Sequence, residues 1–171
     1  ITYSDNMKNA GNPGSLYNTV TYAVSAILTG DGGAAGIADE VGQTKMGKPY
    51  GLSTNDENKE SDPNYIESPF SYNSLTDFFD NIQSIDNIWN GGFVKTKRAK
   101  YSFANYFAKL NPTLGKKVQS AIDNAQAKIK ACPKPFVKNY KNAQVLEAIN
   151  ACTAVREALE EANTYIGQRK K

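Results

Sequence analysis

The side chains with which this sequence could do chemistry are carboxylates, hydroxyls, amides, amines and two thiols. Its 171 residues include no histidine. The chain alone therefore cannot build a Ser-His-Asp triad, a Cys-His dyad or a histidine-ligated zinc or haem site. A site made by this chain has to work through oxygen ligands, amines, backbone groups or the thiols.

Two short polar stretches are candidate binding elements. Asp39 and Glu40 are adjacent in a helical pattern, and neighbouring helical residues point about 100° apart, so at most one of them faces the apolar side. Residues 67–74 (ESPFSYNS) place a carboxylate, several hydroxyls and an amide just before a predicted helix N-terminus. Unpaired backbone N–H groups at such an N-terminus attract an anion or a carboxylate. A tight structural turn is the alternative explanation of these residues.

Other polar groups have simpler explanations. Asp77, Asp80 and Asp86 are predicted to form the solvated face of a helix that Ser74 caps. Residues 56–62 are acidic but lack the spaced ligands and central glycine of an EF-hand. Residues 30–33 (GDGG) lack the Gly-Lys-Ser/Thr ending of a P-loop and follow a helix, so they indicate a turn between helices.

The two cysteines, Cys132 and Cys152, both fall on the apolar stripes of consecutive predicted helices. In an antiparallel helix pair they could face each other and form a disulfide, which would suit an exported protein. The alternative is two small, buried, reduced side chains that serve as core residues. The sequence leaves both alternatives open.

The elements that position these groups are predicted to be helices. Apolar residues recur at three- and four-residue spacing, with N-cap residues before the runs and glycine or proline after them. Asn111 followed by Pro112 indicates one helix N-terminus, and Asn90-Gly91-Gly92 indicates the end of another helix. The predicted helices cover residues 15–28, 34–46, 74–90, 102–110, 112–132 and 142–168.

This pattern predicts an all-α fold, an up-and-down helical bundle of four main helices plus shorter helical pieces. The length suits one domain over residues 1–171. Residues 1–13 are predicted to be a lead-in of low order, and residues 50–62 a loop. No run of 18 apolar residues occurs, so no membrane span is expected.

Charge is distributed unevenly along the chain. Residues 1–94 contain 4 Lys and Arg against 12 Asp and Glu, a net −8, whereas residues 95–171 contain 16 against 5, a net +11. The lysines of the basic half lie between apolar helix positions, without an arginine-rich or base-stacking motif. We therefore expect a solvated basic face that complements an acidic neighbour, and no nucleic-acid partner.

Three segments together resemble one family. The sequences GIADEVGQTKM, ESPFSYNSLTDF and NIQSIDNIWNG are similar to motifs in the carboxy-terminal half of imelysin-like proteins; they occupy residues 36–46, 67–78 and 81–91. The resemblance is strongest over residues 15–91, and the later helices agree in type, together with Pro135-Phe136 between them. It implies a fold of two related helical bundles, of which this chain supplies the second.

The resemblance also implies candidate site residues and partners. Family members are periplasmic or surface-anchored envelope proteins linked to bacterial iron uptake, and have been grouped with metallopeptidases. Their Gly-x-His-x-x-Glu motif belongs to the amino-terminal half, and this histidine-free chain cannot contain it. We therefore expect an amino-terminal bundle from the same signal-bearing precursor as partner, because the chain starts at Ile1, and other envelope iron-uptake proteins as further partners. The residues implied to line the crevice between bundles are Asp39, Glu40, Lys45, Glu67, Ser68, Ser71 and Asn73.

Three functions follow from these expectations. The first is a non-enzymatic envelope component related to iron uptake, with one side of a binding site on this chain and iron as the suggested ligand. The second is part of an imelysin-type metallopeptidase that is catalytically incomplete without histidine, because a catalytic zinc usually has three protein ligands. The third is a structural helical interaction module.

Overall fold

A computed structural model of the chain describes residues 2–52, 60–93 and 98–169. The regular structure in these residues is helical and includes no strand, which confirms the all-α prediction. The elements in chain order are α1 (Tyr3–Lys8), α2 (Val20–Leu28), α3 (Ala34–Asp39), a π segment (Glu40–Gly47), α4 (Lys48–Tyr50), a 3₁₀ turn (Pro63–Tyr65), α5 (Ser74–Asn90), α6 (Phe103–Leu110), α7 (Pro112–Ala131), α8 (Phe136–Asn139) and α9 (Ala143–Gln168).

The bundle is organised around α7 and α9, which run antiparallel along most of their length. Ion pairs join Lys117 to Glu161 near one end and Lys128 to Glu147 near the other, and both joins need opposite helix directions. Helix α5 packs on the other side of α7, and α3 with the π segment packs on α9. Neighbouring long helices therefore alternate in direction, as in an up-and-down bundle.

The core lies between these helices and contains their apolar stripes. Trp89 of α5 stacks on Phe107 of α6 with ring centroids 5.3 Å apart. At the other end of α5, Phe78 meets Phe136 of α8 edge-on at 5.2 Å. Burying a large side chain of this kind contributes about 1.5–3 kcal/mol, so these contacts hold the short helices α6 and α8 to the bundle.

The predicted boundaries of the later helices are confirmed by their caps. Side chains of Ser102, Asn111 and Asn142 accept backbone N–H groups at the starts of α6, α7 and α9. Gly91 ends α5 in the left-handed conformation, with φ of 75°. A side-chain cap typically contributes about 1 kcal/mol, so these residues fix where the helices begin.

Two predictions about the amino-terminal region were wrong. Residues 1–13 were expected to have low order, but α1 forms there because Thr2 and Asp5 make a capping box, in which the Asp5 N–H donates to Thr2 Oγ1 at 3.1 Å. The next helix was expected to start at residue 15, yet it starts at Val20. Thr19 caps it, and Leu16 lies exposed outside it.

Two further boundaries differ from the sequence-based expectation. The helix predicted over residues 34–46 is α-helical only as far as Asp39, and helical structure continues beyond residue 46 to Tyr50. Ser74 is not the N-cap of α5: Asn73 occupies that position, and the Ser74 hydroxyl donates instead to the Glu67 carbonyl. The Ser74 side chain therefore binds the loop before α5 and does not cap the helix.

The connection predicted over residues 50–62 lies partly outside the described residues, which omit 53–59. In its described part, residues 51, 52 and 60–62 are not helical, as predicted. Gly30 to Gly33 form the predicted turn between α2 and α3. In the part of the chain covered by the structure, no helix is both long and apolar enough to cross a membrane.

Candidate functional site

The first candidate residues lie on the π segment, whose repeat decides which side chains meet. A π-helix closes i→i+5 hydrogen bonds, so residues five apart follow one another on the same face. Glu40 and Lys45 are five apart, and Lys45 Nζ lies 3.9 Å from Glu40 Oε1. In an α-helix the same two residues would point in directions about 140° apart. The π geometry therefore creates this charged pair.

The buried face of the π segment follows the same five-residue repeat. Val41 and Met46 are both fully buried, whereas Thr44 and Lys45, which lie between them in the sequence, are only half-buried. π segments of this kind are rare and often occur at functional sites.

Helix α9 holds the π segment in place through close packing. An added Cβ at Gly42 would lie 3.0 Å from Cys152 Cβ and 3.3 Å from the Ile149 carbonyl oxygen. Next to it, buried Gln43 donates through Nε2 to Thr153 Oγ1 at 3.1 Å. The backbone of the π segment thus approaches α9 so closely that a Cβ at this position would press against it.

Lys45 joins the two motif regions. Its Nζ lies 3.2 Å from Glu67 Oε2, on the loop before α5, as well as 3.9 Å from Glu40. The Lys45 side chain is only 16% exposed, whereas the two carboxylates are 59% and 45% exposed. The ammonium therefore lies beneath two carboxylates that face solvent.

Asp39 is paired with Arg156 of α9, a residue that sequence reasoning did not single out. Arg156 Nε lies 3.5 Å from Asp39 Oδ1, and the guanidinium also approaches Glu157 at 3.7 Å and Glu160 at 3.8 Å. The i, i+4 spacing of Arg156 and Glu160 was visible in the sequence. The pairing with Asp39 depends on how α3 packs on α9, and no local signal encodes it.

The loop before α5 brings Ser68 and Asn73 together on Asp77. The Ser68 hydroxyl donates to Asp77 Oδ2 at 2.8 Å, and Asn73 Nδ2 donates to Asp77 Oδ1 at 2.6 Å. Ser71 donates to the Ser68 carbonyl at 3.4 Å. Both oxygens of Asp77 are thus occupied by this loop, so Asp77 is not the plain solvated residue that was predicted.

The backbone of this loop is strained at two non-glycine residues. Ser68 has φ of 53° and Tyr72 has φ of 57°, both in the left-handed region. A non-glycine residue in a sparsely populated region costs on the order of 1–3 kcal/mol, and such residues occur often at ligand-binding and switch regions. The bonds to Asp77 stabilise this conformation.

The predicted residues therefore form two neighbouring ion-pair groups and one hydrogen-bonded loop. Lys45, Glu40 and Glu67 make the first group, Asp39 and Arg156 the second. In the described ranges, no group of three Asp, Glu or Cys side chains has the spacing to hold a metal ion. A cation would have to displace Lys45 or take further ligands from another chain segment.

Asp86, predicted to lie on a solvated face, is 7% exposed and is the centre of a separate polar network. It pairs with Arg98 and accepts hydrogen bonds from Asn90 at 2.8 Å, Gln119 at 3.1 Å and Gln83 at 3.1 Å. The reason is tertiary: Gln119 of α7 and Arg98 cover this side of α5. The network lies on α5 and α7, so we assign it to stability.

The two cysteines are free thiols and both are buried. Cys132 Sγ contacts the Gln144 carbonyl oxygen at 3.5 Å, and Cys152 follows Gln144 by two helical turns, about 12 Å along the axis. A disulfide needs Cα atoms about 4.4–6.8 Å apart, so this register favours the alternative of two core residues. Burial raises the pKa of Cys132 to about 11 and that of Cys152 to about 12.

The fold and this face together define an all-α helical-bundle protein whose charged surface is built on a π segment. The family model described as Imelysin matches residues 1–162, and the chain belongs to the imelysin family. This match extends beyond residues 15–91, where the motifs lie, into α7 and α9. The family suggested by the three motifs is thereby confirmed.

Two solved structures are similar to this chain. The iron-regulated protein A precursor from Parabacteroides distasonis has a TM-score of 0.82 and 28% identity, covering 95% of this chain and 46% of that one. An imelysin peptidase from Bacteroides ovatus has a TM-score of 0.82 and 29% identity, covering 97% and 46%. The chain thus spans less than half of either relative. No curated protein matches it.

Proposed function

We propose that this chain is a non-enzymatic part of an imelysin-type envelope protein related to iron uptake. We further propose that the surface formed by Glu40, Lys45 and Glu67, here called the π-segment face, forms one side of a binding site. The observation that carries the proposal is the placement of the Glu40 and Glu67 carboxylates within 4 Å of the same ammonium, that of Lys45. These two acids come from separate motifs, and the π repeat and the strained loop bring them together.

Iron is the proposed ligand because the exposed donors of this face are carboxylate oxygens. Oxygen ligands suit hard cations, a class that includes ferric iron. One similar structure is named an iron-regulated protein, which supports a connection with iron metabolism. In this proposal Lys45 is the counter-ion of the two carboxylates, and an arriving cation takes its place between Glu40 and Glu67.

The site is proposed to be shared because this chain offers it too few ligands. Two carboxylates leave most coordination positions of a metal ion open, and the two relatives are each more than twice as long as the aligned part. The remaining ligands would come from the other part of such a protein. We also infer that the protein is located in the cell envelope, and this inference rests on its family membership.

Isothermal titration calorimetry with ferric citrate tests this proposal. Glu67→Gln removes one donor charge and should weaken binding at least tenfold, whereas Lys45→Met removes the competing cation and should strengthen it. Glu161→Gln is the matched control, because Glu161 also pairs with a lysine, Lys117 of α7, and neither residue belongs to the π segment or to the loop before α5. Equal effects of Glu67→Gln and Glu161→Gln would show that the face is not a site.

A second titration distinguishes a site shared between two parts of the protein from the absence of any iron site. The same measurement is made on a chain extended to the length of the solved relatives. Tighter binding by the extended chain, still sensitive to Glu67→Gln, supports a site between two parts. Absence of iron-dependent heat from both chains would reject the iron proposal and leave the structural-module alternative.

The peptidase alternative is supported by the description of one relative as an imelysin peptidase. Hydrolysis of an unfolded substrate such as casein by the extended chain, abolished by a chelator, would establish it. For this chain alone we expect no hydrolysis, because it has no histidine to complete a metal or proton-transfer site.

A further inference from the structure

One end of the bundle carries lysines that have no acidic neighbour in sequence. Between Asp123 and Glu147 the chain contains five lysines and no aspartate or glutamate. This stretch forms the end of α7, α8 and the start of α9. Four of the lysines are exposed and define what we call the lysine-rich end: Lys130, Lys134, Lys138 and Lys141.

Aromatic rings, and not carboxylates, are the neighbours of three of these lysines. Lys130 Nζ lies 4.3 Å from the Phe79 ring centroid, and Lys138 Nζ lies 6.0 Å from that of Tyr72. Lys141 Nζ lies 5.5 Å from the Tyr50 ring and donates to the Tyr50 carbonyl. Among the residues the structure describes, none of the four lysines has a carboxylate within 4 Å. In the described part of the chain, no carboxylate therefore competes with an external anion for these charges.

The strained loop before α5 presents apolar surface beside these lysines. Phe70 is 96% exposed and Tyr72 is 57% exposed. The loop is held by the Ser68 hydroxyl, which donates to Asp77, and by the Ser74 hydroxyl, which donates to the Glu67 carbonyl. The loop therefore exposes the Phe70 ring to solvent two residues from Tyr72, the loop residue that lies beside Lys138.

Of the acidic groups on the neighbouring elements, two are already engaged. Asp77 accepts two hydrogen bonds from the loop, and Glu67 pairs with Lys45. Glu60 and Asp62 belong to the connection after α4, and Asp80 is exposed on α5. The stretch between Asp123 and Glu147 itself contributes only positive charge, so this end has a basic side that contacts the loop at Tyr72.

We propose that the lysine-rich end docks on an anionic lipid surface, with Phe70 entering the boundary between headgroups and acyl chains. An exposed apolar ring on a loop that contacts a lysine-rich end matches that boundary, where aromatic side chains reside and lysines reach the phosphates. The ring projects outward from the surface, which a flat bilayer accepts without a complementary pocket. Docking this end would orient the π-segment face relative to the membrane.

Co-sedimentation with vesicles tests this proposal. The protein is mixed with phosphatidylcholine vesicles that contain 0 or about 30% phosphatidylglycerol, an anionic content that gives a strong surface charge. Binding is expected only to the anionic vesicles, and it should weaken as salt is raised. Each of Lys134→Gln and Lys138→Gln should lower the partition coefficient about fivefold, and Phe70→Ser about tenfold.

Lys116→Gln is the matched control, because Lys116 is also exposed and lies on α7, 14 residues or about 21 Å from Lys130. A loss from Lys116→Gln equal to that from Lys138→Gln would overturn the assigned surface. No binding to anionic vesicles would overturn the proposal outright. Binding to soluble polyglutamate as tight as to vesicles, unaffected by Phe70→Ser, would assign the end to an acidic protein instead.

Discussion

Replacing Gly42 by alanine tests whether the π segment is held by its close approach to α9. The added Cβ would lie 3.0 Å from Cys152 Cβ and 3.3 Å from the Ile149 carbonyl oxygen. Both atoms belong to α9 close to its backbone, so neither can rotate away as the end of a long side chain could. The segment would have to move away from α9 or distort.

The expected size of the effect follows from two opposing contributions. Overpacking a filled core costs about 1–3 kcal/mol, and replacing glycine by alanine in a helix returns up to about 1 kcal/mol. We expect Gly42→Ala to lower the free energy of unfolding by about 1–2 kcal/mol. For a chain of this length, that is a fall in Tm of roughly 2–8 °C.

Urea and thermal denaturation followed by circular dichroism measure this change, and Gly167→Ala is the control. Gly167 is also helical, on α9, and no atom lies within 4 Å of its added Cβ. That variant should be unchanged or more stable by up to about 1 kcal/mol. If Gly42→Ala were as stable as Gly167→Ala, the close approach would be refuted as the constraint on the π segment.

Two further predictions concern buried polar and thiol groups. Asp86→Asn should lower the free energy of unfolding by about 1–3 kcal/mol in urea denaturation, because Arg98 loses its charged partner in a largely buried site. The control is Asp80→Asn at an exposed position, which should change the free energy of unfolding by less than about 0.5 kcal/mol. Cys132 and Cys152 should resist Ellman's reagent at pH 8 in the native state and react fully in guanidinium chloride. Folding raises their pKa values from 9.0 to about 11 and about 12, so the unfolded thiols ionise first as pH rises. The free energy of unfolding should therefore fall as pH rises above about 9. Rapid native-state labelling, or stability that is flat to pH 11, would contradict the burial of these thiols.

The sequence was sufficient to predict the helices that combine a long apolar stripe with a recognisable cap. Helix α5 has its stripe and Gly91, α6 has Ser102, and α7 has Asn111 before Pro112. These signals are local, because a cap and a 3.6-residue repeat depend only on neighbouring residues. The fold class followed from them.

The charged pairings could not be predicted in the same way. Asp39 meets Arg156 across 117 residues of chain, and Asp86 is buried because α7 covers it. The motif residues were identified by their resemblance to a family, which indicates position and not geometry. Only the packed structure shows that Lys45 lies beneath Glu40 and Glu67.

The π segment explains why the site and the core depend on each other here. On its outer face Glu40 and Lys45 are five residues apart, and on its inner face Val41 and Met46 are also five apart. An α-helical repeat would rotate the second member of each pair by about 140° from the first. Met46 would then leave the core and Lys45 would leave the carboxylates. The π repeat therefore buries the inner pair and assembles the outer one, so a change that restores α-helical geometry should disrupt both.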